Sequence, residues 1–337
     1  MKILVFRSGA FGDLVILTPV LRHLHKQGNE LTVVTSTRGM EVLKNNPNIK
    51  KLVQHKEDTP INDLSEHLEW LRKKMGCEKV LDFSESIEVS LSQHPRSPNY
   101  KLSKLERLAR FNRNFYEYSF EHIGEKWEGV DLTPELFFEE RESYQIRDLG
   151  TRRCEELLKK DCFNVLIGMS GSGGNKAWPW TQDLAEKICE EYPDVHIITV
   201  GDEKCRLIEP EIEGRITNLS GRIPMRMAMQ FTGLVDLVIA PDTGIIHAAG
   251  CYPTKKICLL GHNTRESITK YFRNDYSIEA DPILSPCSPC LFLVYDMKFQ
   301  CPLDVTGGSL CMSKGIPMMK VYERFKEVYD SQSKKGS

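Results

Sequence analysis

No stretch of this chain approaches the roughly 18 uninterrupted apolar residues that a membrane-spanning helix requires, so an integral membrane protein is not expected. Neither sign of charge prevails. Forty-five Lys and Arg stand against 47 Asp and Glu, a formal net charge of -2, which excludes a polycation built to coat nucleic acid. The sequence also lacks the strict glycine period of collagen, the sustained heptads of a coiled coil and the polar bias of a disordered chain. The opening apolar run, Ile3 to Phe6, is too short for the core of a secretory leader and has no cleavage site behind it. The expected compartment is therefore the cytosol, where thiols stay reduced. Cysteine is not scarce: there are eleven, an odd number that cannot all pair. Cys77, Cys154, Cys162, Cys189, Cys205, Cys251 and Cys258 stand singly and read as small core hydrophobes.

A length of 337 residues suggests about two domains. Residues 3–6 form a short apolar run, a glycine loop follows, and Leu14 to Leu24 continue at helical spacing: strand, loop, helix. Further strands are predicted at 31–35, 51–54 and 79–83, with helices near 39–44 and at 64–75. Residues 125–150 read as an irregular boundary. Beyond it, a helix at 152–160 leads into strands at 164–168, 196–200, 237–240 and 256–261, separated by helices at 181–192, 224–233 and from 245. Strands alternating with helices predict parallel sheets. The fold class is therefore α/β, two facing Rossmann-like domains at 1–150 and 151–315. A final helix at 316–330 is followed by a polar tail.

Between Arg96 and Arg113 the chain carries six Lys or Arg against one Glu, Glu106. Lys101, Lys104, Arg107, Arg110 and Arg113 recur every third residue, a step that lags a full helical turn, so the row spirals and forms no flat basic face. Two readings stand: a solvated helix lying on the domain, or a basic rim for an anionic acceptor.

In open parallel sheets ligands bind beyond the carboxyl ends of strands, and three loops occupy that position. The first is Arg7-Ser-Gly-Ala-Phe-Gly12-Asp13. Its glycines do not match the dinucleotide fingerprint, and no acidic residue ends the next strand. Asp13 is either a helix-capping carboxylate or a functional one. The second is Ser170-Gly171-Ser172-Gly173-Gly174-Asn-Lys176. Backbone amides, hydroxyls and a lysine suit an anion, but Lys176 is not followed by Ser or Thr, which disfavours a nucleotide-hydrolysing P-loop. The third is Ala240-Pro-Asp242-Thr243-Gly244-Ile-Ile-His247, where Asp242 and Thr243 are expected to cap a helix and His247 either faces a ligand or packs.

Cys287-x2-Cys290-x10-Cys301-x9-Cys311 lies in a proline-rich segment, 285–312. Four thiols at this spacing suit a closed structural site for zinc or iron; the alternative is four reduced thiols in an irregular loop.

Taken together, Arg7-x-x-Ala10-x-Gly12-Asp13 with Thr18-Pro19, Gly171 to Lys176 with Trp178-Pro179, Asn218-Leu-Ser-Gly221, and Leu237 to Asp242 with Thr243-Gly244-x-x-His247 resemble glycosyltransferase family 9, the heptosyltransferases of the two-domain GT-B fold. The resemblance runs from residue 7 to about 262. It implies an inverting transfer of a sugar, such as heptose from ADP-heptose, with donor bound by the second domain and acceptor by the first. Asp13 would then be the general base and Lys176 a catalytic cation at the leaving phosphate. Ser170, Gly171, Ser172, Gly173, Gly174, Glu203, Asp242, Thr243, Gly244 and His247 would bind the donor; Arg7, Gly12, Lys101, Lys104 and Arg107 would face the acceptor. No catalytic divalent cation is implied, and no Asp-x-Asp ends a strand. The final helix would cross back to the first domain. Cys287, Cys290, Cys301 and Cys311 hint at relatives that glycosylate autotransporter proteins, carry a four-cysteine iron site and assemble into rings. The acceptor is thus a lipid-linked glycan or a protein hydroxyl, nucleic acid is no partner, and a homo-oligomer or a peripheral place at the inner membrane is left open. The competing expectation is a GT-B-shaped binding or assembly module without catalysis.

Overall fold

The computed structural model describes residues 1–55, 64–84, 102–169, 171, 173–291, 301 and 309–333. They divide into two compact units, one within Met1–Ser90 and Asn114–Glu140, the other within Leu91–Arg113 and Arg141–Ser337.

The first unit holds a four-stranded sheet of β1 (Lys2–Arg7), β2 (Glu30–Thr35), β3 (Lys51–Gln54) and β4 (Lys79–Asp82), in the order β3-β2-β1-β4. All pairings are parallel. The inner strands β1 and β2 are buried at every residue but the first, as expected where helices cover both faces. Helix Phe11–Lys26 is buried continuously from Gly12 to Leu21. Pro19 sits inside it and cannot donate to the carbonyl four residues back. The Thr18 hydroxyl donates to that Val15 carbonyl at 2.7 Å, so the Thr-Pro pair repairs its own gap.

The second unit holds a hairpin, β5 (Tyr144–Ile146) against β6 (Gly150–Arg152), and a six-stranded parallel sheet. The latter comprises β7 (Phe163–Gly168), β8 (Val195–Val200), β9 (Ile216–Asn218), β10 (Leu237–Pro241), β11 (Lys255–Leu260) and β12 (Ile278–Glu279), in the order β12-β11-β10-β7-β8-β9. The division between units lies between Glu140 and Arg141 instead of after residue 150. Its cause is local: Glu142 and Arg226 form a buried ion pair at 2.5 Å, and the Arg147 amide donates to the Arg222 carbonyl. The segment read as irregular thus contains a hairpin fastened to the second unit. The helix expected at 152–160 is only a short 3-10 turn, Cys154–Leu157.

Helix Met318–Ser333, expected to cross back, packs within the second unit's own core. Val321, Tyr322, Phe325 and Val328 join Phe163, Leu184 and Ile188 there. Edge-to-face contacts of Phe163 and Tyr192 with Tyr329, at 5.2 and 4.6 Å between centroids, fix its orientation. Lys255 Nζ then donates to the Val328 carbonyl at 3.0 Å. Each of these fully buried aliphatic or aromatic side chains contributes about 1.5–3 kcal/mol, which outweighs any preference read from the helix alone. Among the described residues no helix is long and apolar enough to cross a membrane.

Candidate active site

Chemistry-bearing side chains gather at the carboxyl ends of the strands in each unit. In the first unit, β1 delivers Arg7, and Asp13 stands in the first turn of the following helix. Arg7 Nη2 lies 2.8 Å from Asp13 Oδ1, both side chains being under a tenth exposed. Asp13 Oδ2 accepts from the Ala10 amide at 2.8 Å, so the carboxylate does cap its helix, reaching back from the third helical position. A Cβ at Gly9 would lie 2.6 Å from Asp13 Oδ2, which accounts for that glycine. Arg7 also donates to the Phe83 carbonyl, which holds its guanidinium in place. Gly12 is buried in the same turn.

In the second unit three adjacent strands, β7, β10 and β11, send their following loops to one point, Asp242. The loop after β7 closes in a turn at Gly174–Lys176. Lys176 Nζ donates to the Asp242 carbonyl at 2.8 Å and to its Oδ2 at 3.3 Å. Gly171 is required by this arrangement: a Cβ there would lie 2.7 Å from Lys176 Cδ and 3.0 Å from Thr243 Cγ2. Ser170 and Ser172, like Lys101, lie outside the described residues.

Asp242 is 4% exposed at the end of β10. Its Oδ1 meets His247 Nε2 at 3.1 Å, and its Oδ2 accepts from Asn263 Nδ2 at 2.7 Å. Burial alone would raise its pKa, but the Lys176 ammonium, then His247 and His262, hold it well below the usual carboxylate range. His262, behind Asn263, is lowered to about 4 by burial first and Lys176 second, so its ring is neutral. Thr243 stands at the N-cap of helix Gly244–Gly250 without making a cap bond, and Asp242 turns its carboxylate to Lys176 instead of the helix. The capping expected of both residues is therefore not formed. Three polar atoms of this cluster have no hydrogen-bond partner among the described residues: Thr243 Oγ1, His247 Nδ1 and Asn263 Oδ1.

Glu203 follows β8 on the same edge and is more than half exposed, pairing with Arg206 at 2.6 Å and Arg147 at 3.0 Å. Those two arginines lower its pKa. Gly221, at φ +63°, leaves room for it, since a Cβ there would collide with Glu203 Oε2.

Lys104 and Arg107 have protein partners. Lys104 Nζ donates to the carbonyls of Pro286 and Ser288 at 2.8 and 2.7 Å, and Arg107 Nε to that of Cys290 at 2.8 Å. Helix Lys104–Phe111 thus clamps the start of the cysteine-rich segment. Burial, and secondarily neighbouring Cys287 and Cys301, raise the Cys311 thiol. No disulfide is formed among the described cysteines, and among the described residues no group of three or more His, Cys, Asp or Glu is arranged to hold a metal ion. The donor chemistry of Cys287, Cys290, Cys301 and Cys311 suits a soft or borderline metal.

Residues 138–291 match the family model of glycosyltransferase family 9 (heptosyltransferase). No curated protein sequence matches the chain significantly. Among solved structures, the chain is similar to E. coli ADP-heptose lps heptosyltransferase II, at 15% identity and TM-score 0.66, over 99% of this chain and 100% of that one. It is also similar to the iron-containing dodecameric glycosyltransferase TibC of enterotoxigenic E. coli, at 12% identity and TM-score 0.63, over 99% and 79% of the two chains. TibC in complex with ADP-D-beta-D-heptose gives 12% identity and TM-score 0.62, over 98% and 76%. The family-model match and the α/β fold of parallel sheets agree with the resemblance read from the loops. His262 and Asn263 were missed in the sequence, although they directly follow the predicted strand ending at Gly261, on the same sheet edge as Lys176 and Asp242.

Proposed function

We propose that the chain is an inverting glycosyltransferase that moves heptose or a similar sugar from a nucleotide-diphosphate donor such as ADP-heptose to a hydroxyl of a glycan or protein. One observation carries this reading: the buried Lys176–Asp242 pair beside unpartnered Thr243 Oγ1 and His247 Nδ1, in a unit whose fold is shared with heptosyltransferases. Lys176 and the amides near Gly171, Gly173 and Gly174, with Ser170 and Ser172, would hold the diphosphate. Gly244 opens the helix beside it, and Glu203 would hold the ribose. The acceptor hydroxyl attacks the anomeric carbon, its proton passes to Asp13, and the bond to the diphosphate breaks with its electron pair on the leaving β-phosphate. Lys176 offsets the charge that grows there, a preorganised interaction worth most in a buried site. Arg7 and Gly12 set the position of Asp13 on the acceptor side. Lys104 and Arg107, engaged with chain carbonyls, fit a structural clamp better than an acceptor rim.

We further propose that Cys287, Cys290, Cys301 and Cys311 close around a structural zinc or iron. Elemental analysis checks this: about one metal per chain is expected, and less than about 0.2 equivalents contradicts it. A homo-oligomer is proposed by analogy with dodecameric TibC. A second reading, an assembly module without catalysis, is favoured only by Asp13 being already engaged with Arg7 and Ala10. Product mass spectrometry with a panel of nucleotide sugars and with glycan and protein acceptors separates the two: transferred sugar supports the enzyme, and none with any pair contradicts it.

A further inference from the structure

We infer that Asn263 reads a hydroxyl group of the transferred sugar, and is the residue that tells a nucleotide sugar from the bare nucleotide. The inference rests on the donor reading above and deepens it. Asn263 is 2% exposed, and its amide orientation is fixed by its neighbours. Asp242 Oδ2 can only accept, so the amide nitrogen must face it, at 2.7 Å. The second amide hydrogen points to His262 Nε2 at 3.1 Å. The His262 ring is neutral, so Nε2 can accept that hydrogen with the ring proton on Nδ1. Both N–H groups are then used, and Oδ1 is left buried with no hydrogen-bond partner among the described residues. A buried acceptor without a donor is costly, and it accepts from a hydroxyl or N–H, never from a phosphate oxygen.

The sheet order says which part of the donor supplies that hydroxyl. Along the carboxyl edge the strands run β8, β7, β10, β11. Glu203 follows β8, Lys176 follows β7, Asp242 follows β10 and Asn263 follows β11. Neighbouring strands are about 4.8 Å apart, so three intervals, roughly 14 Å, separate the strand of Glu203 from that of Asn263. With ribose at Glu203 and diphosphate at Lys176, the group continuing in the same direction is the sugar. Asn263 lies on that side and presents an acceptor, while the cation and the nitrogen-bearing groups lie nearer the centre. Its two N–H bonds also keep Asp242 and His262 aligned, so removing it tests whether its role is reading or only support.

The test is isothermal titration of ADP and of ADP-heptose into wild-type protein and Asn263→Ala; UDP and a UDP-sugar replace the pair if the wild type prefers uridine. Loss of one neutral hydrogen bond to the sugar predicts about five- to tenfold weaker binding of the nucleotide sugar and less than about twofold change for the bare nucleotide. Should Asn263→Ala fail to fold, Asn263→Gln, which keeps the amide but displaces it by a methylene, is expected to show the same selective loss. Equal weakening of both ligands, or of neither, overturns the assignment and leaves the donor reading standing. Wild-type protein that binds no nucleotide overturns the donor reading and this inference with it.

Discussion

Lys176 Nζ rests 2.8 Å from the main-chain carbonyl of Asp242 and 3.3 Å from its carboxylate, with both side chains under a tenth exposed. A buried pair of this kind is costly to break from one side, because the charge left behind stays out of water. Lys176→Ala is expected to lower stability by about 3–5 kcal/mol and to weaken nucleotide binding more than about tenfold. Combining Lys176→Met with Asp242→Asn removes both charges and is expected to recover most of the stability without recovering binding. Urea denaturation and calorimetry on these variants check this; recovery of both, or of neither, contradicts it.

Asp13 is the proposed base, so Asp13→Asn should lower the transfer rate by about 10²- to 10⁴-fold while leaving donor affinity unchanged. The amide oxygen introduced by that substitution can still accept from the Ala10 N–H, so the helix cap survives in part. Single-turnover rates with a competent donor and acceptor decide; full activity in the variant removes Asp13 from the mechanism.

Two buried histidines set the acid side of the stability profile. His196, between Asn164 and Thr217, and His262 are both lowered from 6.5 to about 4, by burial first. Each is neutral when folded and takes up a proton on unfolding below about pH 6.5. Stability is therefore full above that pH and falls between about 6.5 and 4, by about 3 kcal/mol per ring. Asp242, whose pKa is lowered, contributes its loss only below this window. Denaturation at a series of pH values in His196→Gln should show a slope reduced by about one proton; an unchanged slope refutes the assignment to His196.

The clamp on the cysteine-rich segment predicts a local effect. Lys104→Ala and Arg107→Ala should speed hydrogen exchange at residues 285–291 by several-fold, each donor to a carbonyl being worth about 1 kcal/mol or more. Nucleotide affinity should stay within about twofold. Exchange unchanged in that segment, or a selective loss of acceptor binding, would favour the basic rim.

Thr18→Val leaves the Val15 carbonyl without its 2.7 Å donor inside a buried helix and removes the acceptor for the Glu135 amide. A loss of about 1–3 kcal/mol in the first unit is expected by thermal or chemical unfolding.

Much of this architecture was legible because parallel strands buried on both faces read as short β-branched or aliphatic runs: Leu31 to Thr35, His196 to Val200 and Leu237 to Ala240 all lie in observed strands. The hairpin at 144–152 was not, because its three-residue strands carry no period of their own and depend on the Glu142–Arg226 pair and the Arg147 amide. The place of helix 318–333 was fixed by aromatic contacts with Phe163 and Tyr192, residues far away in sequence. At the site, Lys176, Asp242 and His247 announced themselves by loop position, and the structure brings all three together. Asn263 and His262 gave no motif; only the pairing of β10 with β11 shows that their loop ends beside Asp242. In the basic row, charge in the sequence does not reveal that Lys104 and Arg107 face main-chain carbonyls.

Calorimetric titration of ADP and UDP into wild-type protein and Lys176→Ala tests the central claim most directly. The account predicts saturable one-to-one binding of at least one of these nucleotides, weakened more than about tenfold in the variant. Binding of neither by the wild type, or equal binding by both proteins, would contradict it.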